Sequence, residues 1–144
     1  LGTSVQVTLP IQSREPWYVP RIKLKNSDTV VVVDDQVTVH DIWRERLREA
    51  GFSGGPTCHE TAGAALSFLS SRSGISSGRV IVFADYDLGT KKTGIDLLAE
   101  ISSDTKKFLV TGHFDDPTVQ MACKVRQIPL IPKTALSDIP IVVV

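Results

Sequence analysis

Two short runs with no polar side chain, Val30-Val31-Val32-Val33 and Val80-Ile81-Val82-Phe83-Ala84, each break directly into carboxylates, Asp34-Asp35 and Asp85-Tyr86-Asp87. A strand without a polar position has no face to give to water, so both runs predict strands covered on both sides, as in a parallel sheet clothed in helices. From Asp28 onward the chain keeps the same rhythm of short apolar runs and amphipathic stretches, the βαβα pattern of an α/β fold. Strands are expected at Thr29–Val33, Thr57–His59, Val80–Ala84, Phe108–Thr111 and Leu130–Ile131. Helices are expected at about Val37–Ala50, Thr61–Ser70, Gly94–Ser102 and Pro117–Val125. In the first helix Val39, Ile42, Trp43, Leu47 and Ala50 share one face, and Gly51 closes it.

Upstream of Asp28 the pattern differs. Residues Ser4–Leu9 alternate with period two, as a half-buried strand does, and Pro10 ends the run. Residues 10–27 carry Pro10, Pro16 and Pro20 with no sustained period, as expected of an extended connector holding the aromatic pair Trp17-Tyr18. The chain therefore divides into a terminal strand (1–9), a linker (10–27) and one α/β domain (28–144). A length of 144 residues leaves room for one core. The first residue is Leu1 rather than Met, which suggests a processed product or an excised fragment.

Sixteen Lys and Arg against sixteen Asp and Glu give a formal net charge of zero. That removes the electrostatic footprint of a nucleic-acid or membrane-surface binder, so no nucleic acid and no direct membrane contact are expected. Apolar runs such as Ile141–Val144 span a few residues, against roughly 20 for a membrane-crossing helix. Two cysteines, Cys58 and Cys123, are too few for a disulfide framework or a zinc site and read as small buried hydrophobes in a reducing, cytoplasmic setting.

In an open parallel sheet the ligand site lies beyond the carboxyl ends of the strands. There the chain offers Asp34-Asp35, Asp85 and Asp87, then Thr111 and finally Lys133. Carboxylates gathered from separate strands repel one another, and a hard cation is the natural compensation. Mg²⁺ suits them, with Asp35 and Asp85 as ligands and Asp34 acting through water. One carboxylate can also attack phosphorus to form an acyl phosphate while the metal, Thr111 and Lys133 neutralise the phosphoryl oxygens. Five strand residues lead into Asp85, which makes it the nucleophile in preference to Asp87.

These residues, in this order, resemble the receiver domains of two-component response regulators over about residues 28–133. Asp35 and Asp85 are 50 residues apart, Asp85 and Thr111 26, and Thr111 and Lys133 22. The resemblance implies a flavodoxin-like fold with strand order 2-1-3-4-5. It implies that Asp85 accepts a phosphoryl group from a phosphohistidine, with Mg²⁺ held by Asp35, Asp85 and the backbone carbonyl of Asp87. The partner would be a histidine kinase or a histidine phosphotransfer domain. Residues 2–10, Gly-Thr-Ser-Val-Gln-Val-Thr-Leu-Pro, resemble the final strand of a histidine-kinase ATP-binding domain. The order of parts then resembles a hybrid sensor histidine kinase whose membrane anchor would lie outside this chain.

The chain departs from that pattern in places. The loop from Asp85 to Gly94 is one residue longer than usual, and Gly89 stands where proline is common. Leu130 replaces the aromatic residue whose ring follows the hydroxyl at Thr111 in many receivers. Thr134 replaces the frequent proline after Lys133, and Pro140 precedes a β-branched tail, so a fifth helix is expected to be short, irregular or absent. That argues against the common activated dimer while leaving another homodimer open. A receiver-like module that signals by contact without phosphate is the alternative function. An aspartyl-phosphate phosphatase is a third, with Asp87 as its acid. His113 and Asp87 are expected to flank the path of a hydrolytic water. His40 reads as an ordinary helix-face histidine. Cys58 and His59 should point to opposite sides of their strand.

Overall fold

The computed structural model describes residues 19–71 and 78–144. In chain order the strands are β1 (Ile22–Leu24), β2 (Thr29–Val33), β3 (Pro56–His59), β4 (Val80–Ala84), β5 (Lys106–Thr111), β6 (Leu130–Pro132) and β7 (Ile141–Val143). The helices are α1 (Val37–Glu49), α2 (Ala62–Ser71), α3 (Gly94–Glu100) and α4 (Pro117–Arg126), and a 3₁₀ turn spans Lys133–Ala135.

All five residues of β2 are buried, as a strand sandwiched between helical layers requires. It pairs in parallel with β3 on one side and β4 on the other, and β5 and β6 extend the sheet beyond β4. The order β3-β2-β4-β5-β6 is 2-1-3-4-5 when only these five strands are counted, the flavodoxin-like arrangement that the resemblance implies.

Alternate residues of each strand feed two cores. Val31, Val33, Val82, Ala84, Leu109 and Leu130 pack under α2, α3 and α4. Val30, Val32, Ile81, Phe83, Phe108 and Ile131 face α1, whose Trp43 ring lies 4.3 Å from Phe83, itself stacked on Phe108 at 5.0 Å. The buried stripe of α1 is Val39, His40, Trp43 and Leu47, whereas Ile42, expected on that face, is exposed. Cys58 packs on the α1 side and His59 lies against Phe68 of α2, so the two point to opposite faces. Cys123 is fully buried, and burial pushes its thiol up to about 11, consistent with an inert structural residue.

One stretch differs from expectation. Ile22–Leu24 lies inside the presumed linker, yet it forms β1 and pairs in parallel with β7, Ile22 opposite Ile141 and Leu24 opposite Val143. Ile22 and Leu24 are buried and Lys23 is exposed, so the packed body reaches back past Asp28 at least to Ile22. After the 3₁₀ turn no fifth helix forms, as Pro140 and the β-branched tail predict. Arg46 of α1 instead donates to the carbonyls of Leu136 and Ile139, which a helix would have satisfied internally. The β1–β7 pair thus covers the sheet face beside α1. Residues 1–18, including the strand expected at 1–9 and the Trp17-Tyr18 pair, lie outside the described residues.

Candidate functional site

The sheet continues its ladder for one residue past β2 and β4. The Asp34 N–H donates to the His59 carbonyl (3.0 Å) and the Asp85 N–H to the Val33 carbonyl (2.9 Å), so both acids are fixed at strand ends by backbone bonds. Asp34 and Asp85 are buried and Asp35 is exposed, yet one oxygen of each carboxylate lies within 4.8 Å of the others. The Lys133 ammonium, carried there by β6, bridges two of them, 3.0 Å from Asp34 Oδ2 and 3.1 Å from Asp85 Oδ2. Four of the residues singled out in the sequence thus converge from three strand ends.

Three carboxylates meet one ammonium, which leaves the cluster short of positive charge. Burial first, and then the Asp34 charge, raise the Asp85 carboxyl above its ordinary value against the opposing pull of Lys133. Burial works against the Lys133 ammonium, but its bonds to Asp34 and Asp85 outweigh that and hold its pKa above the ordinary lysine value. A site of hard oxygen donors with a charge deficit fits a small divalent cation such as Mg²⁺.

The surrounding loops are built to this geometry. Gly94 opens α3 against the Asp85 backbone, and a Cβ there would lie 2.0 Å from the Asp85 carbonyl oxygen, so only glycine fits. Thr93 caps α3 and forms a reciprocal capping box with Asp96. Gly89 has φ of +74°, which proline cannot adopt, so this loop necessarily differs from one with proline at that place. Thr111 ends β5, is fully buried, and its Oγ1 accepts the His113 N–H at 3.0 Å. The hydroxyl proton remains a donor.

The Asp87 carboxylate is exposed, accepts the Gly89 N–H at 3.3 Å, and is not one of the three clustered carboxylates. His113 is exposed, its ring edge-on to Tyr86 at 5.8 Å. Leu130 is 1% exposed and part of the core. Cavity size does not mark this site: a cavity of about 660 Å³ lined by Lys25, Asp28 and Arg79 lies at the opposite end of the sheet.

His40, which reads from the sequence as an ordinary helix-face histidine, lies beside the acidic end. It is buried in α1, and its Nε2 lies 2.7 Å from the Asp34 carbonyl oxygen. The available signal was its spacing, since residues 40, 43 and 47 repeat at helical intervals and the last two are core.

No protein-family model matches this chain, and no curated protein matches it. Solved structures do. The chain is similar to the signal receiver domain of an HD domain-containing protein from Pseudomonas fluorescens Pf-5, at 22% identity and a TM-score of 0.56 over 79% of this chain and 83% of that one. It is similar to the bacteriophytochrome response regulator AtBRR at 14% identity and a TM-score of 0.59, covering 76% and 82%. It is also similar to the response regulator StyR at 29% identity and a TM-score of 0.56 over 74% of this chain, which spans only 52% of StyR. These neighbours establish the receiver-type fold.

Proposed function

We propose that the chain is a phosphoacceptor receiver of two-component signalling, with Asp85 as the residue phosphorylated. The observation that carries this reading is the Lys133 ammonium bridging Asp34 and Asp85 while Asp35 completes an acidic cluster at the strand ends. An Asp85 oxygen would attack the phosphorus of a phosphohistidine, forming a P–O bond as the P–N bond breaks, and the departing imidazole keeps or gains its proton from water. Lys133 and the Thr111 hydroxyl would neutralise the negative charge gathering on the phosphoryl oxygens. Asp35, Asp85 and the backbone carbonyl of Asp87 would hold Mg²⁺, which neutralises phosphoryl charge when bound. The phosphodonor would be a histidine kinase or a histidine phosphotransfer domain. The resemblance of residues 1–9 to the tail of a kinase domain supports a hybrid histidine kinase as the parent, and the free thiols of Cys58 and Cys123 suit a reducing, cytoplasmic setting. Among the described residues no helix is long and apolar enough to cross a membrane.

A second reading, a receiver-like module that signals by protein contact without phosphate, draws on two observations: Leu130 is locked in the core where receivers often carry a mobile aromatic, and β7 takes the place of a fifth helix. Incubation with acetyl phosphate and Mg²⁺, followed by intact mass, separates the two. Wild type should gain one phosphoryl group and Asp85→Asn none. Beryllofluoride that fails to bind in the presence of Mg²⁺ favours the second reading.

A further inference from the structure

We propose that His40 is a positioning residue of the acidic site, whose imidazole anchors the β2–α1 loop through the Asp34 carbonyl and so sets how well the carboxylates bind a divalent cation. The inference rests on the receiver reading above. His40 is 5% exposed, and a carbonyl oxygen can only accept, so Nε2 carries the proton in the 2.7 Å bond to Asp34. Asp34 is gripped at four atoms: its N–H by the His59 carbonyl, its carbonyl by His40, Oδ1 by the Gln36 N–H at 2.8 Å, and Oδ2 by Lys133. The Lys133 ammonium is shared with Asp85 and holds only the Asp34 side chain, so the Asp34 backbone carbonyl is left to His40.

The usual device for securing the start of a helix is missing, because the N-cap residue Gln36 makes no side-chain cap bond. His40 ties the loop to the helix by a different bond, donating to the Asp34 carbonyl from within the first turns of α1. Its own place is rigid: Trp43, three residues on, is 1% exposed and packed on Phe83, two residues before Asp85. A histidine that merely satisfied its own donor would stabilise the fold without influencing the acids. Here the accepting carbonyl belongs to the residue between β2 and the exposed Asp35, so loss of the bond frees the loop that presents Asp35 to the cation.

The test compares wild type, His40→Met, which keeps bulk without a donor, and His40→Gln, which keeps a donor, all by NMR on isotope-labelled protein. In His40→Met the Gln36 amide should lose about tenfold in exchange protection while the Val82 amide of β4 keeps its own, and Mg²⁺ alone should bind about tenfold more weakly, as for loss of an outer-sphere partner. His40→Gln should recover both. A folded His40→Met with Gln36 protection and Mg²⁺ affinity unchanged overturns the proposal. The wild-type ring is a check that needs no variant: Nε2 must carry a slowly exchanging proton, and an Nδ1–H tautomer overturns the anchor even where His40→Met does not fold. If wild type binds no Mg²⁺ yet Gln36 responds as described, the anchor stands and the receiver reading falls.

Discussion

The two central strands carry charged side chains at both extremities, and the two ends are built on opposite principles. Before β2 and β4, Asp28 meets Arg79 in a two-pronged bond, Oδ1 to Nε at 3.1 Å and Oδ2 to Nη2 at 2.9 Å, and the Lys25 N–H adds a third at 2.8 Å. Charge there is balanced and the acceptor is satisfied. After β2 and β4, three carboxylates cluster and one lysine bridges two of them. Burial alone would raise both buried acids, but Arg79 and the Lys25 N–H outweigh it and hold Asp28 below the ordinary carboxylate value, while Asp85 stands above its own. A matched pair is what a fold uses to join two strands. An unmatched cluster costs stability and persists where a ligand completes it.

The largest expected difference between the ends is chemical. Asp85→Asn should abolish phosphorylation by acetyl phosphate, whereas Asp28→Asn should leave a folded protein that is still modified, at a lower melting temperature. Intact mass reads both, and a phosphorylated Asp85→Asn would erase the distinction between the ends. Mg²⁺ should raise the melting temperature of wild type and of Asp28→Asn but not that of Asp85→Asn.

Next is Gly94→Ala. A methyl group 2.0 Å from the Asp85 carbonyl oxygen meets backbone that cannot rotate away, so α3 must shift. A loss of about 3 kcal/mol in urea unfolding is expected, at the upper end of overpacking costs, together with slower phosphorylation. Gly63→Ala, where a Cβ meets nothing within 4 Å, is the control that should be neutral or mildly stabilising.

Arg79→Ala tests the balanced end. It leaves the buried Asp28 carboxylate with one backbone donor, and because Arg79 is itself part-exposed, water replaces some of what is lost. About 2 kcal/mol of destabilisation at neutral pH is expected. The sign with pH follows from a folded-state pKa below the unfolded one: the Asp28 contribution is fully present above the unfolded value of about 3.9 and fades as pH falls through the lower folded value. The gap between wild type and Arg79→Ala should therefore be constant near neutrality and shrink on acidification below about pH 4. A gap that widened there would reverse the assignment.

The two ends also differed in how far the sequence revealed them. Asp34, Asp35, Asp85 and Lys133 could be placed together because each ends a strand of unmistakable apolar character, and strand direction in a parallel sheet brings all those ends to one edge. Asp28 looked like a boundary residue because its partner, Arg79, is 51 positions away in a stretch with no pattern of its own. The β1–β7 pair was hidden for a related reason: three residues are too few to display period two, and their partner lies at the far end of the chain. His40 was obscured by polarity, since a titratable side chain in a charged helix reads as surface until the stripe through Trp43 and Leu47 is traced back to it.

The smallest expected effects concern the rim of the acidic end. Asp87 and His113 are exposed, two residues beyond Asp85 and Thr111, and neither carboxylate nor ring joins the buried cluster. Their replacement should leave Mg²⁺ binding and phosphorylation nearly intact, because the atoms that hold charge are elsewhere. What they can influence is the approach of water to an acyl phosphate on Asp85. Asp87→Ala and His113→Ala are each expected to change the dephosphorylation rate by a few-fold, about 1 kcal/mol in barrier, measured by the decay of the phosphorylated mass after the donor is removed. The Asp28 and Arg79 variants, at the far end of the same strands, should show the wild-type decay. Equal rates in all five proteins would mean that water reaches Asp85 by a path these two side chains do not border.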